Sequence, residues 1–245
     1  MDKKSTFEGL KAVYINCTLK KSPEVSHTAK LMRVSEARMR HEGVNVERIR
    51  LIDYKVATGV YPDMTEHGWD QDDWPEIVKR IRAADILVIG SPIWLGEKSS
   101  VAQKLIERLY AMSGETNEKG QYSFYGKVGG CILTGNEDGL KSTAKNILYA
   151  LQHIGFSIPP QADCGWLGEV GPGPSYGDIE WEGERLSEPA GFANEFTKRN
   201  STFMTYNLLH LAQMLKEQQG YPSKGNSASD WDQGERWAFE NPEYR

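Results

Sequence analysis

The chain has 245 residues, and its 29 Lys and Arg against 34 Asp and Glu give a formal net charge of −5. Hydrophobic residues make up 39% of the chain, enough for one large domain, and no stretch predicts a transmembrane helix or a signal peptide. Cys17, Cys131 and Cys164 lie in no CxxC or CxxH pattern, which argues against a disulfide scaffold, a zinc ribbon and an iron–sulfur cluster and predicts a cytoplasmic protein.

Short apolar runs without polar alternation predict strands that are buried on both faces, as is typical of a parallel sheet. In chain order, the predicted strands are residues 12–15, an edge strand at 44–52, then 86–89, 128–134 and a fifth strand at 156–162.

Apolar residues at helical spacing predict a helix in each interval between strands. Asp73 and Glu76 have the spacing of a capping box, with Pro75 in the first turn. The other helices are predicted around residues 27–42, ending at Gly43, and around residues 100–112, 140–151 and 204–215.

This alternation predicts an α/β fold: a flavodoxin-like, doubly wound five-stranded parallel sheet in a three-layer α/β/α arrangement. Five strands favour this order over the six-stranded dinucleotide fold. We expect the domain to cover residues 1–217 and a polar tail to cover 218–245. The tail contains Trp231, Trp237, Phe239 and Tyr244, so we expect it to dock on its own subunit or on a neighbour.

Ligands of such sheets bind beyond the carboxyl ends of the strands, here in the loops after strands one, three and four. The first loop, residues 18–28, combines hydroxyl side chains and two lysines with a helix N-terminus, which suits a phosphate monoester. It matches neither GxxxxGK[ST] nor GxGxxG, so a nucleoside triphosphatase or a dinucleotide fold is disfavoured. The alternative is a solvated loop in which Ser26 caps the helix.

The second loop, Ser91–Gly96, places Trp94 and Leu95 directly after the most apolar strand, where a planar aromatic ligand would explain them. The alternative is that Trp94 packs under a neighbouring loop. In the third loop, Thr134–Gly139, the glycines allow a ligand to approach closely, although Asn136 and Asp138 could instead cap the next helix.

Together the three loops resemble those of the NAD(P)H-dependent FMN reductases, which are flavodoxin-fold oxidoreductases. Thr18-x-Lys20 and Ser26-x-Thr28 match the two halves of the family's phosphate motif, G-S-x-R-x3-S-x-[TN]. Cys17 stands in place of the glycine, Lys20 in place of the arginine, and the loop is two residues longer. Residues 91–94 match its [ST]-P-x-[YW] segment, and residues 134–139 match its glycine-containing loop on the other side of the flavin. The resemblance covers about residues 10–160.

The resemblance implies FMN as the cofactor and NADPH or NADH as the electron donor. A hydride would pass to flavin N5 and then, in a ping-pong cycle, to a quinone, flavin, metal ion or nitro or azo compound. The flavin carries the chemistry, so no catalytic side chain is required. The residues implied to bind FMN are, on the phosphate, Thr18, Lys20, Ser22, Ser26 and Thr28; along the ring, Pro92, Ile93, Trp94, Leu95 and Gly96; and on the opposite side, Thr134, Gly135, Asn136, Glu137, Asp138 and Gly139.

The resemblance further implies a homodimer or homotetramer, with residues 54–72 and the tail as candidate contacts. Residues 163–188 hold seven acidic side chains and one basic one, so this window has a net charge of −6 and the rest of the chain has +1. The local negative charge argues against nucleic-acid and membrane partners. We expect this window to border the ligand crevice and to meet solvent or a partner subunit, not the phosphate. His27 is expected to be solvated and Cys17 to be an inert buried thiol.

Two other functions stay open. A flavodoxin-type electron carrier would hold FMN but react only with proteins; flavodoxins are usually shorter and more uniformly acidic, which favours the enzyme. A flavin-free α/β sensor would use the same pocket for another ligand. The histidines have no metal spacing and no GxSxG elbow is present, so neither a metal site nor a hydrolase is predicted.

Overall fold

A computed structural model describes residues 7–169, 173–239 and 243. The strands are β1 Lys11–Asn16, β2 Asn45–Arg50, β3 Ile86–Trp94, β4 Glu97–Lys98, β5 Val128–Gly135, β6 Asp163–Leu167, β7 Glu180–Trp181 and β8 Glu184–Arg185. The α-helices are α1 His27–His41, α2 Trp74–Arg82, α3 Ser100–Tyr110, α4 Leu140–His153, α5 Glu195–Glu217 and α6 Ala228–Asp232. Short 3-10 turns cover Leu51–Asp53 and Met64–His67.

The main sheet is parallel, in the order β2-β1-β3-β5-β6, with β4 added as a short antiparallel strand beside the end of β3. This order confirms the predicted flavodoxin-like fold. At the carboxyl edge, Pro92 on β3 lies beside Thr134 on β5, which in turn lies beside Trp166 on β6. The register therefore brings three ligand-side positions into one row across the sheet.

Both faces of the sheet are covered by helices. Side chains of β1 alternate between two separate cores: Val13 and Ile15 pack with residues of α2, α3 and α4, whereas Ala12 and Tyr14 pack with residues of α1 and α5. Because each face is buried, β1 carries an unbroken apolar run.

The fifth strand was predicted at residues 156–162, and this prediction is wrong. The strand is β6, Asp163–Leu167, and the preceding segment pairs only through an isolated bridge between Ser157 and Val128. Pro159 and Pro160 have no backbone N–H, so this segment cannot form a continuous ladder.

The helix α2 begins as predicted, with Asp73 at the N-cap, but the capping-box interpretation is wrong. The Asp73 side chain makes no capping hydrogen bond. Its carboxylate accepts instead from the backbone N–H of Lys55, at 2.7 Å, and from Gln71 Nε2, at 3.0 Å. The acidic residue thus holds the long loop before the helix rather than the helix itself.

A buried ion pair organises residues 54–72. Arg108 on α3 donates to Asp72 Oδ2 at 2.7 Å, and both side chains are fully buried. Arg108 also donates to the carbonyl groups of Ala57 and Pro62, and Asp72 accepts from the N–H groups of Ala57 and Met64. This loop is therefore ordered by side chains from within the domain.

The residues after α5 pack against the domain of their own chain. Gln121 Nε2 donates to the carbonyl of Pro222 at 3.0 Å and to Asn226 Oδ1 at 2.8 Å, and the hydroxyl groups of Tyr221 and Ser157 are 2.9 Å apart. These contacts lie at the amino end of β5, away from the ligand loops. Tyr244 lies outside the described residues, and the division at residue 217 stays a proposal.

None of the helices in the described part of the chain has the length and apolar character needed to cross a bilayer.

Candidate functional site

A cleft of about 390 Å³ lies at the carboxyl ends of the strands, where the loops after β1, β3 and β5 meet. Its size is in the usual range for small-molecule sites, roughly 300–1,000 Å³. The predicted residues that line it are Thr18, Lys20, Ser26, Thr28, Pro92, Ile93, Trp94, Thr134, Gly135 and Asn136. Residues that line it without having been predicted are Leu19, Val25, His27, Trp166, Ser175 and Tyr176.

One end of the cleft is built on the N-terminus of α1. The Ser26 hydroxyl accepts from the N–H of Ala29 at 3.1 Å, and the first intrahelical bond is donated by Lys30, so the N–H groups of His27 and Thr28 precede it. No acidic side chain lies in the first turn to offset the helix dipole. This end therefore favours an anion, as the sequence predicts.

The Asn16 side chain is hydrogen-bonded to both ends of the loop between β1 and α1. Asn16 Nδ2 donates to the Ser26 hydroxyl at 3.2 Å, and Asn16 Oδ1 accepts from the N–H of Thr18 at 3.2 Å. Both ends of the loop are thereby attached to the last residue of β1. Lys20, in contrast, is exposed and its ammonium group makes no hydrogen bond or ion pair to any described residue, so it can meet a bound anion.

The other end of the cleft is formed by β3 and β5. Here the β3–β4 turn is held against α4, because the Gly96 carbonyl accepts from Ser142 Oγ at 3.1 Å and from Thr143 Oγ1 at 3.0 Å. Gly139 has a φ of +82°, and a Cβ there would lie 2.5 Å from Gly96 Cα. The two glycines shape the loops by packing together, and neither lines the cleft.

Other predicted site residues lie elsewhere. The Ser22 hydroxyl donates to Asp53 Oδ2 at 2.6 Å, and this bond holds the pKa of the Asp53 carboxyl below its usual value. Leu95 is fully exposed at the β3–β4 turn, and Glu137 and Asp138 are exposed. The capping alternative for the third loop is wrong, because Gly139 occupies the N-cap of α4 without a side-chain bond.

Trp166 and Tyr176 form an aromatic wall of the cleft, and neither residue was among the predicted site residues. Their rings meet edge to face, with centroids 5.7 Å apart, and both residues are buried. Trp166 was missed because the fifth strand was placed before it. Once the strand is Asp163–Leu167, Trp166 falls at the carboxyl edge beside Thr134.

Residues 173–178, which we call the strap, connect the two ends of the cleft. His27 Nδ1–H donates to the Tyr176 carbonyl at 3.0 Å, and Lys30 Nζ donates to the Gly177 carbonyl at 2.8 Å. At the other end, Asn136 Nδ2 donates to the carbonyl of residue 173 at 3.3 Å. His27 is half-buried and hydrogen-bonded, so the prediction that it is solvated is wrong.

Asp178 fixes the strap from within the acidic window. Its carboxylate lies 3.4 Å from His27 Nδ1 and 3.5 Å from Lys30 Nζ, and it accepts from the N–H of Ser175 at 2.9 Å. The window therefore borders the cleft, as expected, through Trp166, Ser175 and Tyr176. Glu180, Glu182 and Glu184 are exposed on the β7–β8 hairpin.

The cysteines supply no reactive group to the cleft. All three are buried and free, and burial raises the pKa of each thiol above its ordinary value. The prediction that Cys17 is buried is confirmed, and its inertness stays a prediction. Within the described ranges, no group of three or more His, Cys, Asp or Glu side chains is arranged to hold a metal ion.

The chain is similar in sequence to two named proteins. It is 36% identical over 215 residues to the 8-demethyl-8-aminoriboflavin-5'-phosphate synthase of Streptomyces davaonensis. The aligned region covers 85% of this chain and 79% of that protein. It is 56% identical over 210 residues to the divalent metal cation transporter MntH of Mycobacterium bovis, which covers 86% of this chain. The chain spans only 30% of that second protein's length.

Solved structures agree with the fold. The crystal structure of RosB with the bound intermediate 8-demethyl-8-formylriboflavin-5'-phosphate has a TM-score of 0.79 and 33% identity, over 95% of this chain and 90% of that one. The apo structure of the NADH:FMN oxidoreductase EMOB has a TM-score of 0.51 and 12% identity, over 89% of this chain and 94% of that one, and shows the fold alone.

The family model for NADPH-dependent FMN reductases matches residues 10–164, which include β1 to β5 and all three predicted ligand loops. Since this match covers more than half of the chain, the chain belongs to the NADPH-dependent FMN reductase family, a family of flavoenzymes whose cofactors are FMN and NAD(P)H.

Proposed function

We propose that this chain is an FMN-dependent oxidoreductase that moves electrons from NAD(P)H to a small-molecule acceptor. One observation carries the proposal: a single cleft has at one end a helix N-terminus without an acidic residue in its first turn, and aromatic side chains at the other end. FMN has a phosphate at one end and a planar ring at the other, so its chemistry fits this donor set.

The phosphate would be held at the α1 end. The N–H groups of His27 and Thr28, the Thr18 hydroxyl and the Lys20 ammonium group are the donors that line this end. The Ser26 hydroxyl already accepts from Ala29, so its role is to hold the helix start. Thr28 would bind the phosphate through its backbone N–H, because its hydroxyl is hydrogen-bonded to Thr134.

The ring would lie between the ends of β3 and β5, against the aromatic wall. Pro92, Ile93 and Trp94 provide one side, and Thr134, Gly135 and Asn136 provide the other. FMN, when bound, supplies the two-electron chemistry, accepting from the nicotinamide and donating to the acceptor. The side chains bind and orient it, and Trp166 and Tyr176 exclude water from one flank.

A ping-pong cycle is the proposed order of events. Trp94 is 58% exposed, so the cleft is open beside it, and this opening would serve the donor and the acceptor in turn. Proposed acceptors are a quinone, a flavin, a metal ion, or a nitro or azo compound. We also propose a cytoplasmic homodimer or homotetramer, with the exposed Tyr61 and Trp69 as candidate contacts.

The proposal is tested by adding FMN to the purified protein and following the flavin absorbance without oxygen. We expect one FMN to bind per chain and NADPH or NADH to bleach the bound FMN. Lys20→Ala should weaken FMN binding, whereas Lys224→Ala, in the tail, should not. Bound FMN that neither nucleotide bleaches would favour the electron carrier. Failure to bind FMN would exclude both.

A second candidate is an enzyme that alters the flavin itself. The similarity to the Streptomyces davaonensis synthase favours it, since 79% of that protein is covered at 36% identity. Mass spectrometry of the flavin recovered after incubation with the protein separates the two candidates. An unchanged FMN mass after many turnovers supports the oxidoreductase, and a changed mass supports the second candidate.

A further inference from the structure

A second depression, of about 570 Å³, lies on the other side of the phosphate loop. We call it the β2 groove; it runs between α1 and the carboxyl end of β2. The residues that line it are Asn16, Ser22, Pro23, Glu24, Val25, Ser26, Ala29, Lys30, Arg33, Arg48, Arg50, Asp53 and Tyr54. Val25 and Ser26 line both depressions, so a single loop separates the groove from the cleft.

Two guanidinium groups in the groove are already hydrogen-bonded to other parts of the chain. Arg48 Nε donates to Glu36 Oε1 at 2.5 Å, and the Glu36 side chain is fully buried. Both terminal nitrogens of Arg50 donate to the Glu24 carbonyl, each at 3.0 Å. Each bond leaves other N–H groups of the same planar fork unused, so these groups are oriented before a ligand arrives.

Arg33 differs from these two arginines. It lies on α1 one turn beyond Lys30, is exposed, and makes no hydrogen bond or ion pair with any residue in the described ranges. A guanidinium without a partner keeps all five of its donors for a ligand. Arg33 is therefore the residue in the groove most able to form new bonds with an anion.

The charges around the groove favour an anion as well. The cations exceed the carboxylates even when every existing pair is counted. The cations are Lys21, Lys30, Arg33, Arg40, Arg48 and Arg50, and the carboxylates are Glu24, Glu36, Asp53 and Asp178. A phosphate monoester carries a charge of about −1.5 to −2 near neutral pH, which this excess complements.

We propose that the β2 groove binds the adenosine 2'-phosphate of NADPH, with Arg33 as the residue that distinguishes NADPH from NADH. The inference rests on the proposed function, because it places the two ends of the nucleotide in neighbouring depressions. Arg33 and the free edges of Arg48 and Arg50 would hold the phosphate, and Tyr54 offers an aromatic ring to the purine.

The groove is close enough to the cleft for one molecule to reach both. Arg33 lies seven residues after Ser26 on α1, about 10 Å along the helix axis. Arg50 is in register with Asn16 on the neighbouring strand, about 5 Å away across the sheet. A dinucleotide that passes over Val25 and Ser26 can therefore have its nicotinamide in the cleft and its adenosine in the groove.

The test compares KM for NADPH and NADH in FMN-loaded protein. We expect Arg33→Ala to raise the KM for NADPH about tenfold or more and the KM for NADH less than twofold. Arg199→Ala is the matched control, because Arg199 is an α5 residue whose guanidinium faces the Phe196 ring. A parallel rise for both nucleotides, or no change, would overturn the proposal.

Calorimetry with adenosine 2',5'-bisphosphate tests the groove without turnover. The FMN-loaded parent protein and Arg199→Ala should bind it, and Arg33→Ala should bind it at least tenfold more weakly. Equal binding by all three proteins would overturn the groove assignment. If bleaching fails with both nucleotides but the bisphosphate still binds in an Arg33-dependent way, the proposed function fails and the anion site stands.

Discussion

Thr28 and Thr134 share a hydrogen bond of 2.7 Å between two buried hydroxyl oxygens. Thr28 lies in the first turn of α1 and Thr134 near the end of β5, so this bond joins the loops at the two ends of the cleft. The distance between an anion at α1 and a ring at β5 is thus set partly by one pair of side chains.

Thr134→Val should therefore lower both stability and FMN affinity. The change leaves the Thr28 hydroxyl buried without its partner, which costs about 1–3 kcal/mol of unfolding free energy. Chemical unfolding and FMN titration measure the two effects. Thr202→Val is the control, because the Thr202 hydroxyl donates to the Lys198 carbonyl of its own helix. Equal effects of the two variants on FMN affinity would contradict the positioning role of Thr134.

Asp178→Asn should weaken FMN binding and speed FMN release. The Asp178 carboxylate is near His27 and Lys30, and its loss weakens the attachment of the strap to α1. FMN titration and the rate of FMN loss on dilution measure this. The triple change of Glu180, Glu182 and Glu184 to Gln should leave FMN affinity unchanged, since all three are exposed on the hairpin. A large FMN loss in the triple variant, with none in Asp178→Asn, would reverse this view of the acidic window.

The sheet and the position of the cleft could be predicted because their signals are local. Alternate residues of β1, such as Val13 and Tyr14, face two different cores, and this produces the continuous apolar run. The cleft follows from the strand order, since the strand ends meet at one edge. The fifth strand was not predicted correctly, because Pro159 and Pro160 lack N–H groups and interrupt the segment that precedes β6.

The contacts that complete the site are distant in sequence, and local patterns carry no signal for them. His27 bonds a carbonyl 149 residues later, and the Ser22 hydroxyl bonds Asp53, 31 residues later. Hydroxyl content alone made Ser22 an apparent phosphate ligand, although its donor is engaged elsewhere. Tyr176 belongs to a segment without helical or strand periodicity. Its position in the cleft depends on the hydrogen bonds that His27 and Lys30 donate to the strap.

Asp72→Ala should strongly destabilise the protein. Arg108 would remain fully buried without its carboxylate partner, and breaking a buried pair in this way costs about 3–5 kcal/mol. The N–H groups of Ala57 and Met64 would lose an acceptor at the same time. We expect a lower midpoint of chemical unfolding and faster proteolysis within residues 54–72.

Glu195→Ala is the control for this prediction, because the pair between Glu195 and Lys198 is exposed. It should shift the unfolding midpoint little. If Asp72→Ala has no larger effect than Glu195→Ala, the buried pair does not hold the loop.

The three thiols should resist alkylation in the native protein even at mildly alkaline pH. Burial raises the pKa of Cys17, Cys131 and Cys164, so the folded chain keeps its thiol protons where an unfolded thiol, with a pKa of about 8.5, loses them. The unfolded state then binds fewer protons than the folded state, and the stability contributed by these protons declines as pH rises above about 8.5.

Iodoacetamide labelling at pH 7.5 and pH 9, followed by mass spectrometry, measures the first effect, and urea unfolding at the same pH values measures the second. We expect no labelled cysteine in the folded protein at either pH and three after unfolding.

Labelling of Cys17 alone at pH 9 would mean that the loop between β1 and α1 opens without global unfolding. Because that loop forms the anion end of the cleft, added FMN should then protect Cys17, and failure to protect it would count against phosphate binding there.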